Sequence, residues 1–295
     1  MAGINRRFFL VVAILFVSLS ARADYLPRAE AVADNVYAIV GPLGQRSAEN
    51  DGLNANYGFI VTSAGVVLID SGASLIGAKK LERAIRAVTD QPIRWVINTG
   101  SQDHRWLGID HFARQGARII ALRRTAEMQE KNARQQIENL RRFLGERLAG
   151  TVAMIGPQPL ADGASRLELG GEVIELVYTD AHYSGDLVYV DRLMGILPGS
   201  SVSNGRKAFH ALAALKPARI VPGHGRVCDL AQAQRESGDY YEFLAERVGA
   251  AAKEMESMDE VLKRHADLPA FRHLENYDSL HRANMNRAFI EFEGQ

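Results

Sequence analysis

The sequence contains only one cysteine, Cys228, among 295 residues. A single cysteine excludes an intramolecular disulfide framework and any metal site built from several thiolates. An excess of charge of one sign is also missing, since 35 basic residues balance 35 acidic residues. Proteins that bind nucleic acids usually carry a basic excess, so this class is not supported. We expect Cys228 to be a small buried residue, and the alternative is a reactive thiol.

Long hydrophobic runs are absent apart from residues 8–17, which are too few to span a bilayer comfortably. Arg6 and Arg7 precede this run, and Ala21-Arg22-Ala23 follows it as an A-x-A cleavage pattern. This order of a basic segment, an apolar segment and a small-residue site is typical of a secretory signal peptide. We therefore predict that residues 1–23 are removed and that the mature protein is periplasmic, with no membrane span. The alternative is an uncleaved N-terminal anchor.

The remaining chain alternates between apolar runs and amphipathic segments, with a hydrophobic fraction of 47% that is typical of a globular protein. Strands are predicted at residues 36–40, 57–61, 66–70, 93–97, 118–122, 166–169, 172–177, 187–190, 194–197 and 219–221. Helices are predicted at residues 75–88, 104–115, 125–148 and 207–215, and the chain is mostly helical from residue 230. Two sheet-bearing halves with flanking helices predict an α/β protein with a four-layer αββα sandwich. We expect one domain over 24–230, with a helical C-terminal extension over 231–295 packed on it.

Three polar loops follow predicted strands and carry histidine, and they lie at 98–104, 180–186 and 222–225. Folds of this class place functional residues in such strand-end loops. A lone histidine is more often structural than a ligand. Three of the eight histidines at strand ends, His104, His182 and His224, with Asp103 beside the first, favour a functional site. Imidazoles with a carboxylate suit zinc or non-haem iron.

The order of these motifs resembles the metallo-β-lactamase superfamily over nearly the whole mature chain. The resemblance rests on the Asp70-Ser71-Gly72 turn, the loop at 98–104, the His182 loop with Gly185-Asp186, and the Pro-Gly-His-Gly turn at 222–225. The segments 98–108 and 277–293 are similar to a periplasmic branch found near sulfur-oxidation and quinoprotein systems, the quinoprotein relay system zinc metallohydrolases. The resemblance implies the four-layer fold, a metal-dependent hydrolase activity, and a link to a periplasmic quinoprotein (PQQ) dehydrogenase system.

The metal motif departs from the pattern of this superfamily, whose loop reads His-x-His-x-Asp-His. Counting back from Asp103, the two leading histidines fall on Thr99 and Ser101; in the other alignment the loop is one residue short and Gly100 takes the first place. The bridging aspartate of the family falls on Ser200. The resemblance therefore implies that the first metal site keeps only His182.

Electrostatics then favour a single metal ion. Two divalent cations about 3.5 Å apart repel by roughly 19 kcal/mol at an effective dielectric constant of 20, and Ser200 supplies no charge to offset this repulsion. We expect one zinc ion held by Asp103, His104 and His224, the second site of the family, with an open fourth position. Iron is the less favoured metal.

The predicted activity is hydrolysis of a small molecule by a metal-bound water in that open position. His182 is assigned as general base or oxyanion donor, and Asp103 is counted with it as catalytic. Ser101, Gln102 and Ser200 are expected to line the vacated site and bind substrate.

Two other functions stay open at this stage. The first is a catalytically degenerate accessory or ligand-binding protein of the same fold, since several ligands are lost. The second is an iron enzyme, since two histidines and one carboxylate also suit ferrous oxygen chemistry. The sequence predicts neither the substrate nor the oligomeric state.

Overall fold

The computed structural model describes residues 25–163, 165–178, 186–197 and 200–293. The predicted signal peptide and His182 lie outside these ranges. Among the described residues, no helix combines the length and apolarity needed to cross a membrane.

The first half of the chain forms a six-stranded sheet whose strands follow their order in the sequence. The strands are β1 (Ala29–Ala33), β2 (Val36–Ile39), β3 (Tyr57–Thr62), β4 (Gly65–Ile69), β5 (Ile93–Ile97) and β6 (Arg118–Ile120). Neighbours β1 to β4 pair antiparallel, whereas β4, β5 and β6 pair parallel. The sequence did not predict β1, a partly exposed edge strand with no continuous apolar run.

Four helices connect or follow these strands. They are α1 (Leu75–Arg86), α2 (Asp103–Trp106), α3 (Ile109–Ala113) and α4 (Arg123–Leu144). The single helix predicted over 104–115 is wrong, because the chain breaks into α2 and α3 at Gly108. A Cβ atom at Gly108 would lie 2.0 Å from the main-chain oxygen of Ser71, so only glycine allows this close approach.

The inner strands β3 and β4 are largely buried on both faces, which explains their nearly continuous apolar sequences. One face packs against the helices through a core that includes Phe59, Leu68, Leu81, Trp106 and Phe112. The other face carries Val67, Ile97 and Ile120, which pack with Leu169 and the hairpin that contains it. This hairpin consists of β7 (Ser165–Leu169) and β8 (Glu172–Leu176) and matches the predicted hairpin closely.

Three strands predicted in the second half, at 187–190, 194–197 and 219–221, are not regular strands in the described part of the chain. These segments form isolated bridges, such as Tyr189 with His224 and Ile220 with Cys228. Their apolar residues are buried, and an apolar run predicts burial without fixing ladder pairing. The next helix, α5 (Val202–Ala214), begins before residue 207 because the Oγ atom of Ser201 accepts a hydrogen bond from the amide of Asn204 (3.1 Å).

The C-terminal part is helical, as predicted. Its helices are α6 (Leu230–Ala233), α7 (Asp239–Phe243), α8 (Gly249–Lys253), α9 (Met258–Arg264) and α10 (Tyr277–Glu293), and π-helical turns join α6 to α7 and α7 to α8. They share one core with the preceding segment, through Val190, Phe209, Tyr240 and Phe289.

Cys228 lies in this core, and burial raises the pKa of its thiol to about 11, so it is the small buried residue expected. The α/β class with a helical C-terminal region is confirmed.

Candidate metal site

Three buried side chains from separate segments converge at one end of the six-stranded sheet. They are His104 in α2 after β5, Asp186 before the bridge-forming segment, and His224 in the Pro-Gly-His-Gly turn. One ligand atom from each lies within 4.8 Å of those of the other two. His104 and His224 are only 3% and 5% exposed. This group has the composition of a tight metal site.

Both imidazoles present a lone pair to the centre of this group. The Nδ1 atom of His224 lies 2.7 Å from the main-chain oxygen of Asn54, which can only accept a hydrogen bond. The Nδ1 atom of His104 lies 3.2 Å from a carboxylate oxygen of Asp103, which also accepts. When neutral, each ring therefore donates through Nδ1 and keeps Nε2 for a ligand.

The polar atoms at the centre are not satisfied by the protein. Nε2 of His104 and Oδ2 of Asp186 are buried and make no hydrogen bond within the described residues. Oδ2 of Asp186 lies 3.0 Å from Nε2 of His224, a contact that places two lone pairs face to face when this imidazole is neutral and forms an ion pair when it is protonated. Buried groups left in this state are costly, and a shared cation would satisfy them. The residues present therefore fit a divalent metal ion.

The protonation states agree with this use. Burial lowers the pKa of His104 to about 4, so this imidazole is neutral near pH 7. Burial alone would raise the pKa of Asp186, but the guanidinium of Arg105 beside it holds that pKa well below its usual range. A neutral imidazole and an ionised carboxylate are the forms that bind metals.

Asp103, the carboxylate ligand predicted from the sequence, lies beside this group and outside it. Its Oδ2 atom forms an ion pair with Arg46, and its Oδ1 atom accepts a hydrogen bond from the amide of His104 (2.8 Å) and faces the Nδ1 atom of that residue. Burial would raise the pKa of Asp103, but Arg46 and His104 lower it to about 2. In this arrangement Asp103 fixes the tautomer and orientation of His104.

The loop at 98–104 is held from both sides. Asp70, at the end of β4, accepts hydrogen bonds from the amide (2.8 Å) and hydroxyl (2.7 Å) of Thr99. Burial raises the pKa of Asp70, whereas these donors and the guanidinium of Arg105 favour its ionised form. From the other side, Gln129 and Gln136 of α4 donate to the main-chain oxygens of residues 100 and 101. The long helix α4 therefore supports the site as well as packing on the sheet.

The turn that carries His224 is shaped by two further contacts. The side chain of Asn56 donates to the main-chain oxygens of Pro222 (2.9 Å) and Gly225 (2.6 Å). Gly223 packs directly on Asp186, because a Cβ atom at Gly223 would lie 2.1 Å from the Cβ atom of that residue. Glycine at position 223 therefore lets the carboxylate reach the two histidines.

A cavity of about 510 Å³ adjoins the site, a size suited to a small molecule. Its lining includes the charged side chains of Asp70, Arg105 and Asp186 together with apolar side chains such as Ile60 and Ile196. The three residues predicted to bind substrate, Ser101, Gln102 and Ser200, also line this cavity.

The sequence patterns assign no role to two residues of the site. Asp186 ends the His182 loop and precedes an apolar run, a position that could have marked it as a ligand. Arg105 follows the predicted ligand His104, but no spacing rule connects it with Asp70 and Asp186, which lie 35 and 81 residues away. His182 lies outside the described residues, so its proposed role stays a prediction.

The sequence profile of the Metallo-beta-lactamase superfamily matches residues 50–197. The fold is similar to a metallo-beta-lactamase from Pontibacter korlensis, with 16% identity and a TM-score of 0.53 over 73% of this chain and 99% of that one. The DIM-1 metallo-beta-lactamase is similar with 16% identity and a TM-score of 0.54, over 74% of this chain and 98% of that one.

A larger structure is similar over more of the chain. The stereoselective inverting sec-alkylsulfatase Pisa1 from Pseudomonas sp. has 15% identity and a TM-score of 0.68. The similarity covers 91% of this chain but 50% of that one. At these identities the structural likeness shows the fold alone. No curated protein matches the chain.

Proposed function

We propose that this chain, which belongs to the metallo-beta-lactamase superfamily, is a hydrolase that uses one divalent metal ion held by His104, Asp186 and His224. The observation that carries this proposal is the convergence of three buried ligand atoms, two of which lack any hydrogen bond in the described residues. The neighbours named as a β-lactamase and an alkylsulfatase support hydrolysis as the reaction class.

Zinc is the preferred ion, because two imidazole nitrogens and one carboxylate oxygen leave an open position on a four-coordinate ion. When bound, zinc would act as a Lewis acid and would lower the pKa of a water molecule bound to it to about 7. Asp103 keeps the Nε2 atom of His104 directed at the ion, and the main-chain oxygen of Asn54 does the same for His224. Arg105 holds the second oxygen of Asp186, so the carboxylate offers its Oδ2 atom alone.

Proton transfer and substrate contact fall to residues around the ion. Within this proposal His182 is the general base or oxyanion donor, an assignment that rests on the sequence motif. Ser101, Gln102 and Ser200 bind polar groups of the substrate, in accord with their place in the cavity lining. Because Asp186 and apolar side chains both line the cavity, we propose a small molecule whose scissile ester, thioester or lactam group lies near Asp186.

The cellular setting is also a proposal. The basic, apolar and A-x-A segments of residues 1–23 support export to the periplasm. The likeness of residues 98–108 and 277–293 to the quinoprotein relay branch supports a link to a quinoprotein dehydrogenase system. N-terminal sequencing of protein from a periplasmic extract is expected to begin near Asp24. Retention of Met1 in a membrane fraction would contradict export.

The test of the function combines metal analysis with an activity panel of ester, thioester and lactam substrates. We expect about one zinc per chain and hydrolysis that is lost on chelation and restored by zinc. His224→Ala is expected to lose tight zinc binding, because two ligands remain. His210→Ala is the matched control, since His210 is an exposed histidine that pairs with Glu242 on the protein surface.

Other outcomes separate the competing functions. Bound zinc without turnover of any substrate in the panel would favour the accessory or ligand-binding alternative. Activity that requires iron and oxygen would favour the iron enzyme. Two zinc ions in the wild-type chain would contradict the single-ion site.

A further inference from the structure

Arg105 carries a positive charge in the interior of the protein, where the residue is only 5% exposed. Its guanidinium donates to Oδ2 of Asp70 (2.9 Å) and to the main-chain oxygen of Asn56 (3.1 Å), and it pairs with Oδ1 of Asp186. Its own main-chain oxygen accepts a hydrogen bond from the amide of Ser71 (2.9 Å). The charge of Arg105 is therefore fixed in position by both its side chain and its backbone.

One of these carboxylates is shared with the metal site. Asp186 directs Oδ1 at Arg105 and Oδ2 at the group formed with His104 and His224. The guanidinium and a bound metal ion would thus lie on the two sides of a single carboxylate. The carboxylate of Asp186 would then lie between two cations, the guanidinium of Arg105 and the metal ion.

The other carboxylate connects Arg105 with the modified part of the metal loop. The Oδ2 atom of Asp70 accepts hydrogen bonds from the Nη1 atom of Arg105 and from the hydroxyl of Thr99. Counting back from Asp103, Thr99 is one of the two positions at which a histidine of the superfamily pattern is missing. The guanidinium therefore lies beside the very segment in which ligands for a second ion are missing.

We propose that Arg105 is a resident cation beside the metal site, which lowers the affinity of the site for zinc through Asp186 and Asp70. This inference rests on the single-metal site proposed above and assigns part of its zinc affinity to one residue. When both carboxylates are ionised and Arg105 is protonated, the net charge of these three side chains is −1. Removing Arg105 makes this net charge −2, and removing Asp70 makes it zero.

The test is zinc binding measured by equilibrium dialysis and elemental analysis, with zinc as the only added ligand. Arg105→Met is expected to tighten zinc binding at least tenfold, because the buried carboxylates Asp70 and Asp186 then lack their cation. Arg105→Lys keeps the charge and is expected to bind zinc with an affinity within a few-fold of wild type. Arg114→Met is the matched control, since Arg114 is an exposed arginine that pairs with Asp110.

A second series keeps the test decisive if Arg105→Met fails to fold. Asp70→Asn, which removes one negative charge, is expected to weaken zinc binding at least tenfold. Adding Arg105→Met to Asp70→Asn restores the local charge and is expected to restore the affinity to within a few-fold of wild type. A merely structural role would make the double variant weaker than either single variant, a distinction that a double-mutant cycle detects.

An affinity of folded Arg105→Met equal to that of wild type, or a double variant that is weaker than Asp70→Asn, would overturn the role of Arg105. Absence of zinc from the wild-type chain would instead contradict the proposed function itself.

Discussion

The Nε2 atom of His224 lies 3.0 Å from the Oδ2 atom of Asp186, and the Nδ1 atom on the other side of the same ring faces a main-chain oxygen. A neutral ring that donates through Nδ1 has no proton on Nε2 to give to the carboxylate. In that form the two atoms are placed as ligands of a common cation.

Gly223 is expected to control the position of Asp186. Gly223→Ala places a Cβ atom 2.1 Å from the Cβ atom of Asp186, and a side-chain rotation cannot relieve this clash. We expect the variant to lose zinc affinity by at least tenfold, measured by competition with a chromogenic chelator. Gly44→Ala is the control, because a Cβ atom at Gly44 meets nothing within 4 Å. Equal zinc affinities of the two variants would show that the approach of residue 223 to Asp186 is unimportant.

The support of the metal loop by α4 can be tested at Gln136. This side chain donates to the main-chain oxygen of Ser101 (2.8 Å) and accepts from the indole of Trp106 (3.0 Å). Gln136→Ala is expected to lower the free energy of unfolding by about 1–2 kcal/mol, because both hydrogen bonds are lost. Zinc affinity should fall several-fold as the loop loosens.

Gln135→Ala provides the comparison for this variant. Gln135 is the exposed neighbour on the same helix, and its removal changes helix propensity by a similar amount. Urea denaturation of both variants in chelator separates the loop contact from the helix effect. Indistinguishable midpoints would contradict the role assigned to Gln136.

His182 is expected to affect turnover more than metal content. If it is a base or oxyanion donor, His182→Ala leaves the zinc content unchanged and lowers kcat by roughly 10²–10⁴-fold. His182→Gln recovers part of the loss if the role is oxyanion stabilisation, and little if the role is proton transfer. Loss of zinc from His182→Ala would identify a fourth ligand, and loss of thermal stability with full activity would identify a structural residue.

The stability of the metal-free protein should depend on pH through His104. Burial lowers the pKa of this residue to about 4, whereas the unfolded chain titrates near 6.5. Between these values the unfolded state binds the additional proton, so the free energy of unfolding falls as the pH falls. The slope from this group is about 1.4 kcal/mol per pH unit, and little further loss from it occurs below pH 4. We expect urea unfolding of His104→Gln between pH 4 and 7 to lack this contribution to the pH dependence of the free energy of unfolding. A pH dependence equal to that of the wild-type protein would contradict the low pKa of His104.

The sequence predicts most of the first half of this fold because its signals are local. The alternation and turn residues around Thr62 to Gly65 specify a hairpin, and the spacing of Leu81 and Ile85 specifies a helix face. The break at Gly108 could not be predicted, because it depends on the backbone of Ser71, which lies 37 positions earlier in the chain. The strands predicted at 187–190 and 194–197 are wrong for a different reason. Their apolar residues predict burial correctly, but the sequence does not specify a partner strand.

The candidate site shows the same division. His104 and His224 were predicted from their strand-end loops, and the structure brings them into one group. The carboxylate of that group differs from the predicted one, because Arg46 pairs with Asp103 while Gly223 leaves room for Asp186. Both effects join residues more than 35 positions apart. Spacing along the chain carries no information about such contacts.

Anomalous diffraction at the zinc edge, from crystals of the zinc-loaded protein, locates the metal ion that we place between His104, Asp186 and His224. We expect one anomalous peak per chain, about 2.0–2.2 Å from the Nε2 atoms of both histidines and from Oδ2 of Asp186. Two peaks, or one peak bound by Asp103 with Asp186 remote from it, would contradict this metal site.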